Sequence, residues 1–235
     1  MVLRKLSLPV KVLFSCFLIT VGSGYLFAVL YLYLMEVEPH AKEGKGIVQA
    51  VILKYYGNRG GTRLQAALDG AMSENVTPVE KGKIIQWIRG GATEAGFSAV
   101  QPIFTDNCVS CHNKQTGLPS LATFQEVSAY TALDMGQSVK TLVRVSHIHL
   151  FGMSFIFMLT SGIFALSEVR PKWRAILIAI PFIAIWLDIG SWWFTKMQPL
   201  FAYTVIVGGL LMGLSLALQI FLSFYELWMK RNLPS

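Results

Sequence analysis

The residues best suited to chemistry in this sequence are Cys108-Val109-Ser110-Cys111-His112. C-x-x-C-H is the attachment pattern of c-type haem. Two thiols about one helical turn apart can each add to a vinyl group, and the adjacent imidazole is carried onto the iron. The two competing readings of the pair fit less well. A thioredoxin-like C-x-x-C follows a strand and opens a helix in a βαβ setting, and no alternating pattern precedes Cys108. A zinc site needs more Cys or His nearby than His112 supplies. The third cysteine, Cys16, stands in an apolar run and reads as a small buried apolar residue.

With His112 as the proximal iron ligand, the sixth position falls to a methionine, which raises a haem potential, or to a second histidine, which lowers it. Met72, His147 and His149 are the candidates. Met135 lies in a polar turn, and His40 reads as a solvated interfacial residue. His147 and His149 stand where the polar segment turns apolar. Two residues apart on a helix is ~200° of rotation, so both cannot face one partner without unwinding. Ionisable groups at membrane depth are costly and are functional candidates by default. Asp188, inside an apolar run, is expected at the same depth. An acid and a histidine facing one cleft would suit a quinol headgroup and its proton. Trp186, Trp192, Trp193 and Tyr203 read as an aromatic belt.

The elements that must position these residues are mostly apolar. Of 235 residues 54% are hydrophobic and 14% charged, against ~25% charged in soluble domains. The mean hydropathy is +0.53. Uncharged stretches run from Val12 to Met35, Val145 to Ser167 and Met197 to Tyr225, and Ala175 to Thr195 is broken only by Asp188. Each suffices for the ~20 residues of a membrane span. The formal net charge of +7 does not mark a nucleic-acid binder, because Glu36 to Arg144 holds 11 Lys and Arg against 10 Asp and Glu. The excess flanks the spans instead, at Arg4, Lys5 and Lys11, at Arg170, Lys172 and Arg174, and at Lys230 with Arg231. These are alternate loops, and cytoplasmic loops are the ones enriched in Lys and Arg. The expected topology therefore puts both termini in the cytoplasm of a bacterial inner membrane and the polar segment in the periplasm. The first span reads as an uncleaved signal anchor.

The polar segment reads helical throughout. Helices are expected over Gly46–Tyr56 and over Thr62–Met72, the latter with Leu64, Leu68 and Met72 stacked four apart. A third opens on a Thr77–Glu80 capping box with Pro78 at its first position, turns Ile84, Trp87 and Ile88 inward, and ends at Gly90-Gly91. Ser98–Asn107 leads into the cysteine motif, with Phe104 on the face of Cys108. Gly117-Leu118-Pro119 makes a turn, and Thr123 with Glu126 caps a short helix.

On these residues the segment Glu36 to Arg144 resembles small c-type cytochrome domains, where an aromatic residue such as Phe104 commonly precedes the motif. Met72, then Thr77-Pro78-Val79-Glu80, then Trp87-Ile88-Arg89-Gly90-Gly91-Ala92 is similar to an element of planctomycete-type cytochrome c domains. In that family the element follows the haem motif, whereas here it precedes it, and the two prolines usual after the methionine are missing. The resemblance implies one covalent haem c, and for Met72 a ligand role.

The expected fold is all-α, with four transmembrane helices and a small helical cytochrome c-like domain between the first and second. The segments are 1–35 (anchor), 36–144 (periplasmic haem domain), 145–228 (three-helix membrane region) and 229–235 (cytoplasmic tail). The expected function is single-electron transfer on the periplasmic face, with lipid, other electron-transfer proteins or complex subunits as partners. The alternative is a quinol-oxidising or quinone-reducing membrane enzyme, with His147, His149 and Asp188 as its site. A haem-based gas or redox sensor has less support, because the cytoplasmic segments are too short for an output domain.

Overall fold

The computed structural model describes residues 2–41 and 44–230; Arg231, with the rest of the tail beyond Lys230, lies outside the described residues. The chain is 74% helical with no strands among the described residues. It divides into two compact units, Tyr33–Gln137 and Met1–Leu32 with Ser138–Ser235.

The second of these is built on α1 (Leu8–Leu32), α9 (Val139–Phe164), α10 (Pro171–Met197) and α11 (Ala202–Phe224). Among the described residues, four helices are long and apolar enough to cross a membrane, and these are their cores. Helix α9 is capped by Ser138, whose hydroxyl accepts from Thr141 N–H at 3.1 Å, and starts at Val139, six residues before the uncharged run begins. Lys140 and Arg144 sit in its first turns, where long basic side chains reach polar surroundings while their stems stay apolar.

Backbone polarity inside this unit is accounted for locally. Pro181, inside α10, has no N–H to give the Leu177 carbonyl four residues earlier. Gln219 of α11, fully buried, donates its amide to that carbonyl at 2.8 Å and accepts from the Ser161 hydroxyl of α9 at 2.9 Å. One glutamine thus repairs the proline break and ties three helices together, which matters where no water can substitute. At one end of the unit Arg4 and Lys230 bridge to Glu168 at 3.0 and 2.9 Å, and Glu168 N–H donates to both carboxylate oxygens of buried Glu226. The hydrogen bond from Lys230, then the Arg4 charge, holds the Glu168 carboxyl below its usual range. The N-terminal segment, the α9–α10 loop and the end of the fourth span therefore share one end, as the charge pattern requires of segments on one side. Helix α1 buries only Ser15 and Leu18 within its unit, leaving most of its length to lipid.

The other unit contains α2 (Glu38–Ala41), α3 (Ile47–Tyr55), α4 (Arg63–Asp69), α5 (Pro78–Arg89), α6 (Glu94–Phe97), α7 (Gln101–Asn107) and α8 (Phe124–Ser128). Both capping boxes form, Thr77 with Glu80 and Thr123 with Glu126. Ile84 and Trp87 are buried as the spacing required, and with Leu64, Leu68, Phe97, Ile103, Phe104 and Val127 they make one core. Phe97 is its hub, with ring centroids 5.6 to 5.8 Å from Trp87, Phe104 and Phe124. Gly57 and Gly136, both at positive φ, cross so closely that a Cβ on either would strike backbone. Asp134 stitches that crossing by accepting from Asn58 N–H at 2.8 Å and Gly136 N–H at 2.9 Å.

Two expectations about this unit need correction. The helix opening at Thr62 ends at Asp69, because Gly70 adopts φ −113°, ψ −120°, so Met72 does not continue the Leu64–Leu68 stack. Ser98–Asn107 is likewise not one helix. The chain breaks after Phe97 and restarts at Gln101 with Pro102 in the first turn, where a missing N–H costs nothing.

Candidate functional site

The cysteine motif follows directly from α7. Cys108 N–H donates to Phe104 O at 2.9 Å, and Cys111 N–H and His112 N–H both return to Cys108 O at 3.1 and 2.7 Å. The motif is therefore coiled into a turn directly after α7, and the two cysteines are free. Cys111 is exposed and Cys108 half-buried; burial, then the Glu80 charge, pushes the Cys108 thiol pKa up. Glu80 itself is held below the usual carboxylate range, first by the Thr77 backbone N–H.

The chain then turns at Gly117, where φ is +73°, and returns past the imidazole. His112 Nδ1 lies 2.9 Å from Pro119 O, and Leu121 N–H donates to His112 O at 3.1 Å. A carbonyl can only accept, so Nδ1 carries the proton and Nε2 keeps its lone pair. That orienting bond from the far ring nitrogen is what a metal-ligating histidine normally has.

Cys108, Cys111 and His112 open onto a cavity of about 380 Å³. Its walls are mainly apolar, with Leu64, Leu68, Val76, Phe104 and Leu121 among them. Met72 lines the same cavity. The early end of α4 puts it there, as N-cap of the 3-10 turn Ser73–Asn75 and out of the helical stack. Its sulfur takes a long contact of 3.8 Å from Asn75 Nδ2. Arg63, Asn107 and Tyr130 add the polar lining. Exposed Met135 and half-buried His40, which lies against Gly70, are not among the lining residues.

This donor set fits a haem c. Two thiols, an imidazole with a free Nε2 and a thioether sulfur share one apolar cavity. Haem brings its own four equatorial nitrogens and needs only axial donors from the chain. Among the described residues no three His, Cys, Asp or Glu gather into a cage for a bare ion.

The membrane unit holds the second group of candidates. Trp192 donates Nε1–H to Asp188 Oδ1 at 3.1 Å, and its ring meets the His149 ring edge-on with centroids 5.4 Å apart. His149 and Asp188 are thus brought to one place through an indole. His147 is not part of this contact; its ring packs on Phe151 at 5.2 Å, consistent with a continuous helix that separates the two histidines by ~200°. His149 Nδ1 lies 2.9 Å from Val145 O, which fixes its tautomer as the Pro119 carbonyl does for His112. At the same depth Trp193 donates to Ser146 Oγ at 3.2 Å. Ser191 bonds Thr204 of α11 at 2.6 Å. Gly208 lets α11 approach so closely that a Cβ there would lie 2.9 Å from Asp188 N.

A family model described as a transmembrane helical domain matches residues 132–234, the stretch that contains α9, α10 and α11. The chain is a multi-pass membrane protein. No curated protein and no solved structure matches it. The family match covers this membrane protein's polar cluster but stops short of its cysteine motif, so the cavity must be read from its own residues.

Sequence reasoning named the motif, Met72, His149 and Asp188, but missed three partners that complete these sites. The Pro119 carbonyl carried no signal beyond its turn. Arg63 could only have been placed by knowing where α4 ends. Trp192, taken for part of an aromatic belt, is 6% exposed and bonded to Asp188.

Proposed function

We propose that this protein is a membrane-anchored, monohaem c-type cytochrome that passes single electrons on the periplasmic face of a bacterial inner membrane, as a subunit of a larger redox assembly. The observation that carries this is the cavity that Cys108, Cys111, His112 and Met72 line together. Cys108 and Cys111 would hold the haem through thioethers, each S–H adding across a vinyl double bond. His112 Nε2 would be a donor to the iron, since its Nδ1 proton is engaged by Pro119 O. Met72 would be the second donor, favoured over His147 and His149, because it lines the cavity of His112 within one compact unit. The group supplies one-electron Fe(III)/Fe(II) exchange when bound. Leu64, Leu68 and Phe104 exclude water from it, and Arg63 offers a cation to its carboxylates. The periplasmic assignment rests on the Lys and Arg pattern, supported by the shared end of Arg4, Glu168 and Lys230.

The test is the ferric spectrum of the purified chain and of Met72→Ala. The wild type is expected to show the long-wavelength sulfur-to-iron charge-transfer band, and the variant to lose it while keeping covalent haem. A band that survives Met72→Ala would remove Met72 from the iron.

A further inference from the structure

The end of the membrane unit where Glu168 joins three segments carries more positive charge than it neutralises. Arg4 and Lys230 bridge to Glu168 at 3.0 and 2.9 Å, and Lys230 also reaches buried Glu226 at 3.4 Å. Two further cations are held by uncharged groups. Lys11 Nζ donates to Leu227 O at 2.9 Å and lies over the Trp228 ring, and Arg174 donates to Ser167 O. Lys5, Arg170 and Lys172 remain, all exposed, and no carboxylate among the described residues bridges them. They belong to the segments tied together there. Lys5 lies two residues beyond Leu3, whose N–H donates to Leu166 O at 3.1 Å, and Arg170 lies two beyond Glu168. Arg170 is also the N-cap of α10 and makes no side-chain cap bond, so a 27-residue helix turns its positive end toward the same place.

The surface beside these charges is apolar. Trp173 stands between Lys172 and Arg174 and is 60% exposed, and Leu8, Leu13 and Ile176 are exposed early in α1 and α10. Uncompensated cations next to exposed apolar helix call for a ligand with an anionic head and acyl chains. A soluble polyanion would meet the charges and leave the apolar surface bare.

We infer that Lys5, Arg170, Lys172 and the first turn of α10 form a binding site for the phosphodiester headgroup of an anionic phospholipid, whose acyl chains lie along α1 and α10. The Trp173 indole adds an amphipathic anchor at headgroup depth. Phosphatidylcholine carries the same phosphodiester, but its own ammonium cancels the net charge. The preference for an anionic lipid is therefore electrostatic, and salt screens it. The inference involves neither the cavity nor haem, because the site lies wholly within the membrane unit.

The experiment is equilibrium binding of radiolabelled dioleoylphosphatidylglycerol to the full chain in dodecyl maltoside, with dioleoylphosphatidylcholine as the comparator of identical acyl chains. The anionic lipid should bind about ten-fold tighter at low salt, and the difference should shrink as salt is raised. Each of Lys5→Gln, Arg170→Gln and Lys172→Gln should weaken its binding by up to about five-fold. All three together should bring the two lipids within about two-fold of each other. The three side chains are exposed, so the triple variant should fold. Lys140→Gln with Arg144→Gln removes two exposed cations from the other end of the same unit and should leave the preference intact. Equal binding of the two lipids overturns the inference, as does a preference that the triple variant keeps or that the Lys140, Arg144 pair abolishes equally. Haem content of the same preparations is a separate readout. A haem-bearing chain without the lipid preference sinks this inference alone, and the preference in a chain without haem sinks the haem reading alone.

Discussion

Withholding the proposed haem should cost the Tyr33–Gln137 unit much of its stability, and the cavity gives the scale. Empty apolar space costs ~24 cal/mol per Å³ in a folded core. Applied to about 380 Å³, that is about 9 kcal/mol as an upper limit, because the mouth beside exposed Cys111 and Leu118 admits water. A domain of this size has only ~5–15 kcal/mol in total. If one third of the limit applies, about 3 kcal/mol, Tm falls by roughly 12–24 °C at ~4–8 °C per kcal/mol. The perturbation is Cys108→Ser with Cys111→Ser, purified free of haem, compared with the wild-type chain in the same detergent. Pulsed hydrogen exchange of peptides from 63–107 during a thermal ramp reads this unit without interference from the membrane helices. The haem-free variant should lose protection at least about 10 °C below wild type. Melting within about 5 °C of it would show that the cavity does not need a filler, and the argument from its volume would fail.

Further perturbations probe other parts of the account. Met72→His, which substitutes a histidine for the methionine sulfur, should lower the haem midpoint potential by on the order of 0.1–0.3 V within the ~0.8 V that axial ligands span, read by redox titration; an unchanged potential would put Met72 off the iron. Gln219→Leu should destabilise the membrane unit by about 1–2 kcal/mol, since it strands the Leu177 carbonyl and the Ser161 hydroxyl. Pro181→Ala, by restoring an N–H for Leu177 O, should recover part of that loss; strict additivity in the double-mutant cycle would contradict the repair role. Glu80→Ala should destabilise the Tyr33–Gln137 unit at neutral pH. The Glu80 carboxyl is held below its ordinary value by the Thr77 N–H, so its contribution is complete above that value and is lost as pH falls through the lowered one. The difference in thermal midpoint between wild type and variant should therefore shrink on acidification, and a constant difference would refute the sign.

Sequence reading succeeded where the physics is local. Three of the four spans follow from uncharged length, and the fourth from an apolar run broken only by Asp188. The Thr77 and Thr123 capping boxes form as spaced, because each joins atoms three residues apart. The errors lie where tertiary packing overrode local preference. Gly70 ends α4 three residues before Met72, and periodicity carries straight through that glycine. The break after Phe97 lets that ring sit at the centre of the aromatic core, a gain no window of neighbouring residues contains. The site divides in the same way. C-x-x-C-H is legible because one turn sets its geometry, whereas the Pro119 carbonyl and the Trp192 indole became visible as partners only once the chain was folded.

The central claim is covalent haem on Cys108 and Cys111. A pyridine haemochrome spectrum of the chain purified from a host with a periplasmic haem-attachment system, with the intact mass of the same sample, tests it most directly. The account predicts a c-type spectrum, one haem per chain surviving acid extraction, and loss of both in Cys108→Ala with Cys111→Ala. A chain whose mass equals the polypeptide alone, or whose haem is fully extracted by acid, would contradict it.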